Sequence, residues 1–247
     1  MIRMGSITDN ARRAQRVLRR LSRGEGLRPK PIQLDLASFS KRFTAAPSTI
    51  LEIGANDGID SERLLAIFES ATLHCFEPDP RALALLRSRI TSERAQIHAV
   101  AISDIDGVLP FHQSGGAPPG QEQEYPEGWH RSSSLQKPTN HIDEFPWCTF
   151  DATIEVESVR LDTWYESNDV GKIDFIWADV QGAEPGLLRG GQEALRNTRF
   201  LYTEFVESGL YEGHLALDAL LELIPDWKIV TRYPNDVLLE NRAFRSA

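Results

Sequence analysis

The sequence predicts an α/β fold: a doubly wound, mostly parallel, seven-stranded sheet of Rossmann-like type that ends in an antiparallel hairpin. Three observations carry that expectation. From about residue 47, short apolar runs alternate with stretches of helical period. The intervening segments are long enough to be crossovers, which means parallel pairing and right-handed connections. The last two runs, Trp227–Arg232 and Val237–Glu240, are joined only by Tyr-Pro-Asn-Asp, a hairpin length.

Each element follows in order. Thr49–Gly54 reads as the first buried strand, with a helix through Ser61–Phe68 behind it. Thr72–Phe76 is the second strand and ends in Glu77-Pro-Asp-Pro80; the helix over Arg81–Ile90 places Leu83 and Leu86 on one face. Gln96–Ile102 is the third strand and closes at Ser103-Asp104. The period then lapses. Residues 113–150 hold five prolines, four glycines, two tryptophans and two histidines without sustained pattern, and so long an irregular stretch marks a functional segment. Its aromatics Trp129, Phe145 and Trp147 predict an ordered lid. Ile154–Leu161 alternates as an antiparallel edge strand does. Ile173–Ala178 is a buried strand leading into Asp179 and a helix to about Leu195. Phe200–Phe205 is the fifth core strand, and a helix near Leu215–Leu223 precedes the hairpin.

At 247 residues and 41% hydrophobic composition, one α/β domain over 46–247 with an Arg-rich extension over 1–45 is expected. Residues 1–30 carry eight arginines and one lysine against two acids. Within them, Asn10–Leu21 predicts a short helix with a narrow apolar stripe of Ala14, Val17, Leu18 and Leu21. Such a helix suits solvent, a partner (a second copy of the chain included) or weak contact with an anionic surface. No apolar run has the length of a membrane span, and no secretory pattern opens the chain. Cys75 and Cys148 form neither a disulfide framework nor a metal-binding spacing, so a cytoplasmic protein is expected. The net charge of −9 argues against nucleic acid as a partner.

Ligands of such sheets bind outside the carboxyl ends of the strands. The first strand-to-helix turn is Glu52-Ile-Gly-Ala-Asn-Asp-Gly58, where Gly54 and Gly58 allow close backbone approach. A dinucleotide site wants Gly-x-Gly-x-x-Gly; here the spacing is Gly-x-x-x-Gly, and Asn56 and Asp57 occupy the loop. An acid there repels a pyrophosphate but suits a ligand carrying a sulfonium and an α-ammonium. Glu77, before Pro78, ends the second strand, where a carboxylate can accept both hydroxyls of a ribose. Ser103 and Asp104, at the end of the third strand, are placed to bound an adenine. S-adenosylmethionine is therefore the expected cofactor, held by these residues together with Asp179.

The set Leu51–Gly58, Phe76-Glu-Pro-Asp79, Ala99–Asp104, Ser133-Ser-Leu135, Val159–Trp164, Ile173–Glu184 and Tyr202-Thr-Glu204 resembles the FkbM-type methyltransferases, in the family's order over roughly residues 49–205. The Asp-Val-Gln-Gly-Ala-Glu run and the preceding Leu-Asp-Thr-Trp are its most specific parts. The resemblance implies a class I methyltransferase fold and O-methylation of a hydroxyl, on a sugar, glycan or polyketide-like small molecule. Members commonly carry Lys-Ile before the aspartate, where this chain has Trp177-Ala178.

Asp179 ends the fourth parallel strand beside the expected position of the reactive methyl. It is a candidate base, along with His130 and His141 in the irregular segment. Arg131, Ser133, Ser134, Gln181, Glu184 and Glu204 are candidate acceptor-binding residues. Asp179 and Glu204, at adjacent strand ends, can hold Mg2+ through oxygens and waters, with no third protein ligand identifiable. Two other readings compete: a nicotinamide-dependent oxidoreductase on a similar sheet, and a non-catalytic module retaining the fold.

Overall fold

The computed structural model describes residues 33–205 and 209–244. The Arg-rich helix expected over Asn10–Leu21 lies outside the described residues.

A short helix α1 (Leu36–Ser40), capped by the Asp35 side chain, precedes the first strand. The order then runs β1 (Thr49–Ile53), α2 (Ile59–Ile67), β2 (Thr72–Phe76), α3 (Pro80–Arg89), β3 (Ala95–His98), β4 (Ala101–Ser103) and β5 (Gly107–Gly116). After an irregular crossing that contains one turn of helix, α4 (His141–Glu144), come β6 (Cys148–Arg160), α5 (Leu161–Asn168) and β7 (Ile173–Ala178). The chain continues through α6 (Glu184–Gly190), α7 (Gln192–Arg196), β8 (Thr198–Glu204), α8 (Leu217–Leu223), β9 (Trp227–Arg232) and β10 (Asp236–Asn241).

Seven strands form the main sheet in the order β3-β2-β1-β7-β8-β10-β9. The first five are parallel, while β10 pairs antiparallel with both β8 and β9. The predicted sheet and its terminal hairpin are thus present. Both faces are covered, which explains why the strands read as near-continuous apolar runs. Leu51, Ile53, Ile176 and Ala178 face a core closed by α5 to α8; Ile50, Phe175 and Trp177 face the other, under α1, α2 and α3. Phe39 of α1 anchors the second core, its ring 4.6 Å from Phe175 and 5.2 Å from Phe200.

Two expectations are corrected. The strand read over Gln96–Ile102 is two strands. β3 pairs with β2, the chain breaks at Ala99-Val100, and β4 leaves the main sheet to pair with β6. Ile154–Leu161 is no edge of the main sheet; it is the second half of β6, the centre of a three-stranded sheet β4-β6-β5. The alternation was real, but one solvated face is equally available to a strand in a separate small sheet. That sheet also extends into both ends of 113–150, since β5 runs to Gly116 and β6 starts at Cys148.

Candidate active site

The carboxyl ends of β1, β2 and β7 meet in a cleft of about 360 Å3, and residues 130–135 of the β5–β6 insert form its far wall. Gly54 and Ala55, leaving β1, both donate their backbone N–H to the Phe76 carbonyl, at 3.0 and 2.9 Å. This ties the turn to β2. Gly54 has φ +86°, and a Cβ on it would fall 1.9 Å from the Asp179 carbonyl oxygen. Glycine is therefore required for β1 and β7 to close at this height. Gly58 (φ +82°) caps α2, and a Cβ there would meet Leu86 at 2.8 Å. Its role is packing on α3, and it does not line the cleft.

Glu77 lies at the cleft's edge, buried, with each carboxylate oxygen held by one backbone N–H. Oε2 accepts from Asn56 at 2.8 Å and Oε1 from Asp79 at 2.7 Å. Burial pushes it up to about 8, against the pull of those two donors. Each oxygen keeps a lone pair free, the arrangement a vicinal diol needs. Glu52, buried beneath the turn, accepts from Ser61 Oγ and Cys75 Sγ, and burial likewise raises it to about 8.

The insert is bolted to this floor. Arg131 pairs with Asp57 at 2.8 Å, and Asn56 Nδ2 donates to the His130 carbonyl at 3.5 Å. The His130 ring is buried in the cleft wall; among the described residues its Nδ1 has no partner, and burial lowers its basicity. Ser133 Oγ donates to Asp79 at 3.2 Å. Ser134 is turned away from the cleft and donates to the Gln181 carbonyl at 2.7 Å.

On the other side of β1, Asp179 lines the cleft at the end of β7. Gln181 Nε2 donates to Asp179 Oδ1 at 2.6 Å and to Glu204 Oε2 at 3.1 Å, while its Oε1 accepts from Tyr211 Oη at 3.3 Å. Burial raises both carboxyls, and the neighbouring Asp179 charge raises Glu204 further. One amide thus donates to both acids considered as Mg2+ ligands. Among the described residues no three His, Cys, Asp or Glu side chains converge on a point.

Several sequence-derived candidates lie elsewhere. Ser103 Oγ is 2.7 Å from Ser158 Oγ and accepts from Ile105 N at 3.0 Å, while Asp104 is exposed, 3.9 Å from Arg189. Neither lines the cleft, because the break after β3 swings β4 into the small sheet. Val100, Ala101, Ile102, Phe111 and Leu135 form the apolar end of the cleft instead. His141 is buried against Phe145, Phe150 and Tyr211. Glu184 is wholly buried at the start of α6, where burial raises it to about 7. Pro78 does line the cleft. Sequence reasoning missed Asp60 and Arg63, an ion pair at 2.7 Å whose three-residue spacing on a helix was the available signal. It also missed Gln33, for which there was none. Trp177 lines the cleft and packs on Tyr202, ring centroids 4.5 Å apart.

The donor set suits the expected cofactor. An apolar slot, a carboxylate with two free lone pairs, a close-packed glycine turn and the Asp57, Asp60 and Asp179 carboxyls line up in one cleft, matching adenine, ribose and a cationic methionine portion. Among the described residues no helix is long and apolar enough to cross a membrane.

Comparison with known proteins agrees. The methyltransferase FkbM domain matches residues 52–228. The chain is 45% identical over 197 residues to the 2-O-methyltransferase NoeI of Sinorhizobium fredii (strain NGR234), covering 78% of this chain and 79% of that protein. Among solved structures, it is 14% identical to the plantazolicin methyltransferase BpumL bound to a substrate analogue and SAH, over 93% of each chain, with a TM-score of 0.46. An rRNA methylase from Streptococcus thermophilus is 10% identical over 83% of this chain and 93% of that one, with a TM-score of 0.44. The family match and the relative support the transferase reading over an oxidoreductase or a non-catalytic module. The chain belongs to the FkbM methyltransferase family and is an S-adenosylmethionine-dependent O-methyltransferase.

Proposed function

We propose that this enzyme methylates a hydroxyl of a sugar or glycan, with Asp179 as the base. The observation that carries the reading is the placement of Glu77 and Asp179 immediately after β2 and β7, the two strands flanking β1. Glu77 would hold the cofactor's ribose and Gly54–Asp57 would line its course, with Asp179 on the opposite side of the β1 turn facing the acceptor. S-adenosylmethionine, when bound, supplies a methyl already activated on sulfur, so the protein's work is alignment, exclusion of water and removal of one proton. Asp179 is held for that task by the Gln181 amide, while burial raises its carboxyl above the usual range and so strengthens it as a base. Arg131 and the His130 wall close the cleft against water. The relative's name, a 2-O-methyltransferase, supports a hydroxyl oxygen as acceptor. Arg63 and Arg131, which also line the cleft, offer hydrogen-bond donors of the kind a polyhydroxylated ring requires. The chain's net charge of −9 speaks against a nucleic-acid acceptor. The Gln181 amide that donates to both Asp179 and Glu204 supports metal-independent transfer, and the two free thiols, Cys75 and Cys148, suit the reducing cytoplasm.

His130 is the second reading for the base, favoured by its Nδ1 in the cleft wall, which has no partner among the described residues. The test is turnover of S-adenosylmethionine against a panel of sugars and glycosides, with and without EDTA. A methyl ether at a ring hydroxyl, formed equally well under chelation, supports the proposal. Transfer only to nitrogen or carbon acceptors, or activity abolished by EDTA, overturns it.

A further inference from the structure

Asp79 stands two residues beyond Glu77, is 1% exposed, and receives more hydrogen bonds than any simple helix cap needs. Its Oδ1 accepts from the backbone N and Nε of Arg81, at 3.0 and 3.1 Å, and from Gln113 Nε2 at 2.9 Å. Its Oδ2 accepts from Arg81 Nη2 at 2.7 Å and Ser133 Oγ at 3.2 Å. The same Arg81 donates through Nη1 to the Ser114 carbonyl at 3.0 Å, and Ser133 Oγ accepts from Ser114 N at 3.0 Å. One buried carboxylate therefore joins three pieces of chain distant in sequence: the start of α3, the end of β5 and the 130–135 wall. Its own backbone N–H is one of the two donors that orient Glu77.

We infer that Asp79 is the positioning residue of the cofactor's ribose subsite: it fixes the peptide that aims Glu77 and, through Ser133 and Arg81, holds the insert wall against the same subsite. The inference rests on the assignment of Glu77 to the ribose. A helix cap alone needs only the bond from Arg81 N. The contacts to Gln113 and Ser133 have no part in capping, and both lead to the insert. Five donors on a buried carboxylate also leave it no capacity to bind ligand, so its influence must pass through the groups it holds.

The test is calorimetric binding of S-adenosylhomocysteine and of its 2′-deoxy analogue to the full chain. Wild-type protein should bind the deoxy analogue about tenfold or more weakly, since a hydrogen bond is lost and a buried Glu77 oxygen is left without its partner. Asp79→Ala should weaken S-adenosylhomocysteine by at least about tenfold and the deoxy analogue far less, so that the discrimination between them shrinks to about threefold or below. Ser133→Ala, which removes one outer bond of the cluster, should show the same pattern at smaller size, and serves if Asp79→Ala does not fold. A purely structural role would weaken both ligands equally. That outcome, or unchanged discrimination in both variants, overturns the inference. Wild-type protein that does not distinguish the two ligands instead overturns the assignment of Glu77.

Discussion

Arg131 and Asp57 join the two sides of the cleft: Nη2 of Arg131, in the insert, donates to Oδ2 of Asp57, in the first turn, at 2.8 Å. The arginine is 38% exposed, so solvent screens the pair and its energy is modest. Its consequence is for passage more than for affinity. Arg131→Met should change the equilibrium affinity for S-adenosylhomocysteine by only about two- to fivefold, accelerate its dissociation, and reduce the dependence of both on salt. Stopped-flow release at low and high ionic strength measures this; identical off-rates in variant and wild type would mean that the pair gates nothing.

Removing the proposed base should separate chemistry from binding. Asp179→Asn is expected to lower kcat by about two orders of magnitude or more while leaving S-adenosylhomocysteine affinity within severalfold. His130→Gln should cost less than about tenfold. The reverse ranking would transfer the role of base to His130.

Buried acids give the fold a distinctive pH response. Glu52 titrates near 8 in the folded protein, above the ordinary value of 4.5, because burial disfavours its charge. The native state therefore holds a proton that the unfolded chain releases between about 4.5 and 8. This group's contribution to stability is complete at the acid end of that window and lost as pH rises through it. Glu52→Gln should match the wild-type Tm near pH 5 and exceed it progressively towards pH 8. A constant difference across that range would show that Glu52 is ionised in the native state.

Gly54 tests the closure of β1 against β7. Gly54→Ala forces a positive φ on alanine and drives its Cβ into the Asp179 carbonyl, so a loss of about 3 kcal/mol or more is expected, with binding lost too. Gly171 has φ +68° but open space around it, so Gly171→Ala should cost only the conformational penalty, about 1–2 kcal/mol. Equal denaturation midpoints for the two variants would refute the steric argument.

Local signals found the strands of the main sheet and half of the cleft, but not β5 of the small sheet. β1, β2 and β7 were readable as buried runs because a parallel sheet is covered on both faces, and the polar residues that end them, Asn56, Glu77 and Asp179, had to sit at its ligand-binding edge. The same logic failed for Ser103 and Asp104. A two-residue break at Ala99-Val100 carries no periodic signature, yet it sends β4 into another sheet and leaves an apolar slot where polar contacts were expected. His130 and His141 were equivalent in sequence; packing puts one in the cleft wall and the other against Tyr211. Asp79 carried no site signal in the sequence, and Gln181 and Glu204 read as candidate acceptor-binding residues, Glu204 also as a candidate Mg2+ ligand. Their roles arise from partners far away along the chain: Ser133 is 54 residues from Asp79, and Glu204 is 23 from Gln181. By itself the sequence determined the main sheet, the ends of β1, β2 and β7 and the cofactor's chemistry, since these follow from hydrophobic period and from the residues at each turn. Only the tertiary structure decided which side chains share a proton, a hydrogen bond or a wall, because those depend on the docking of the insert over the sheet, which no local pattern encodes.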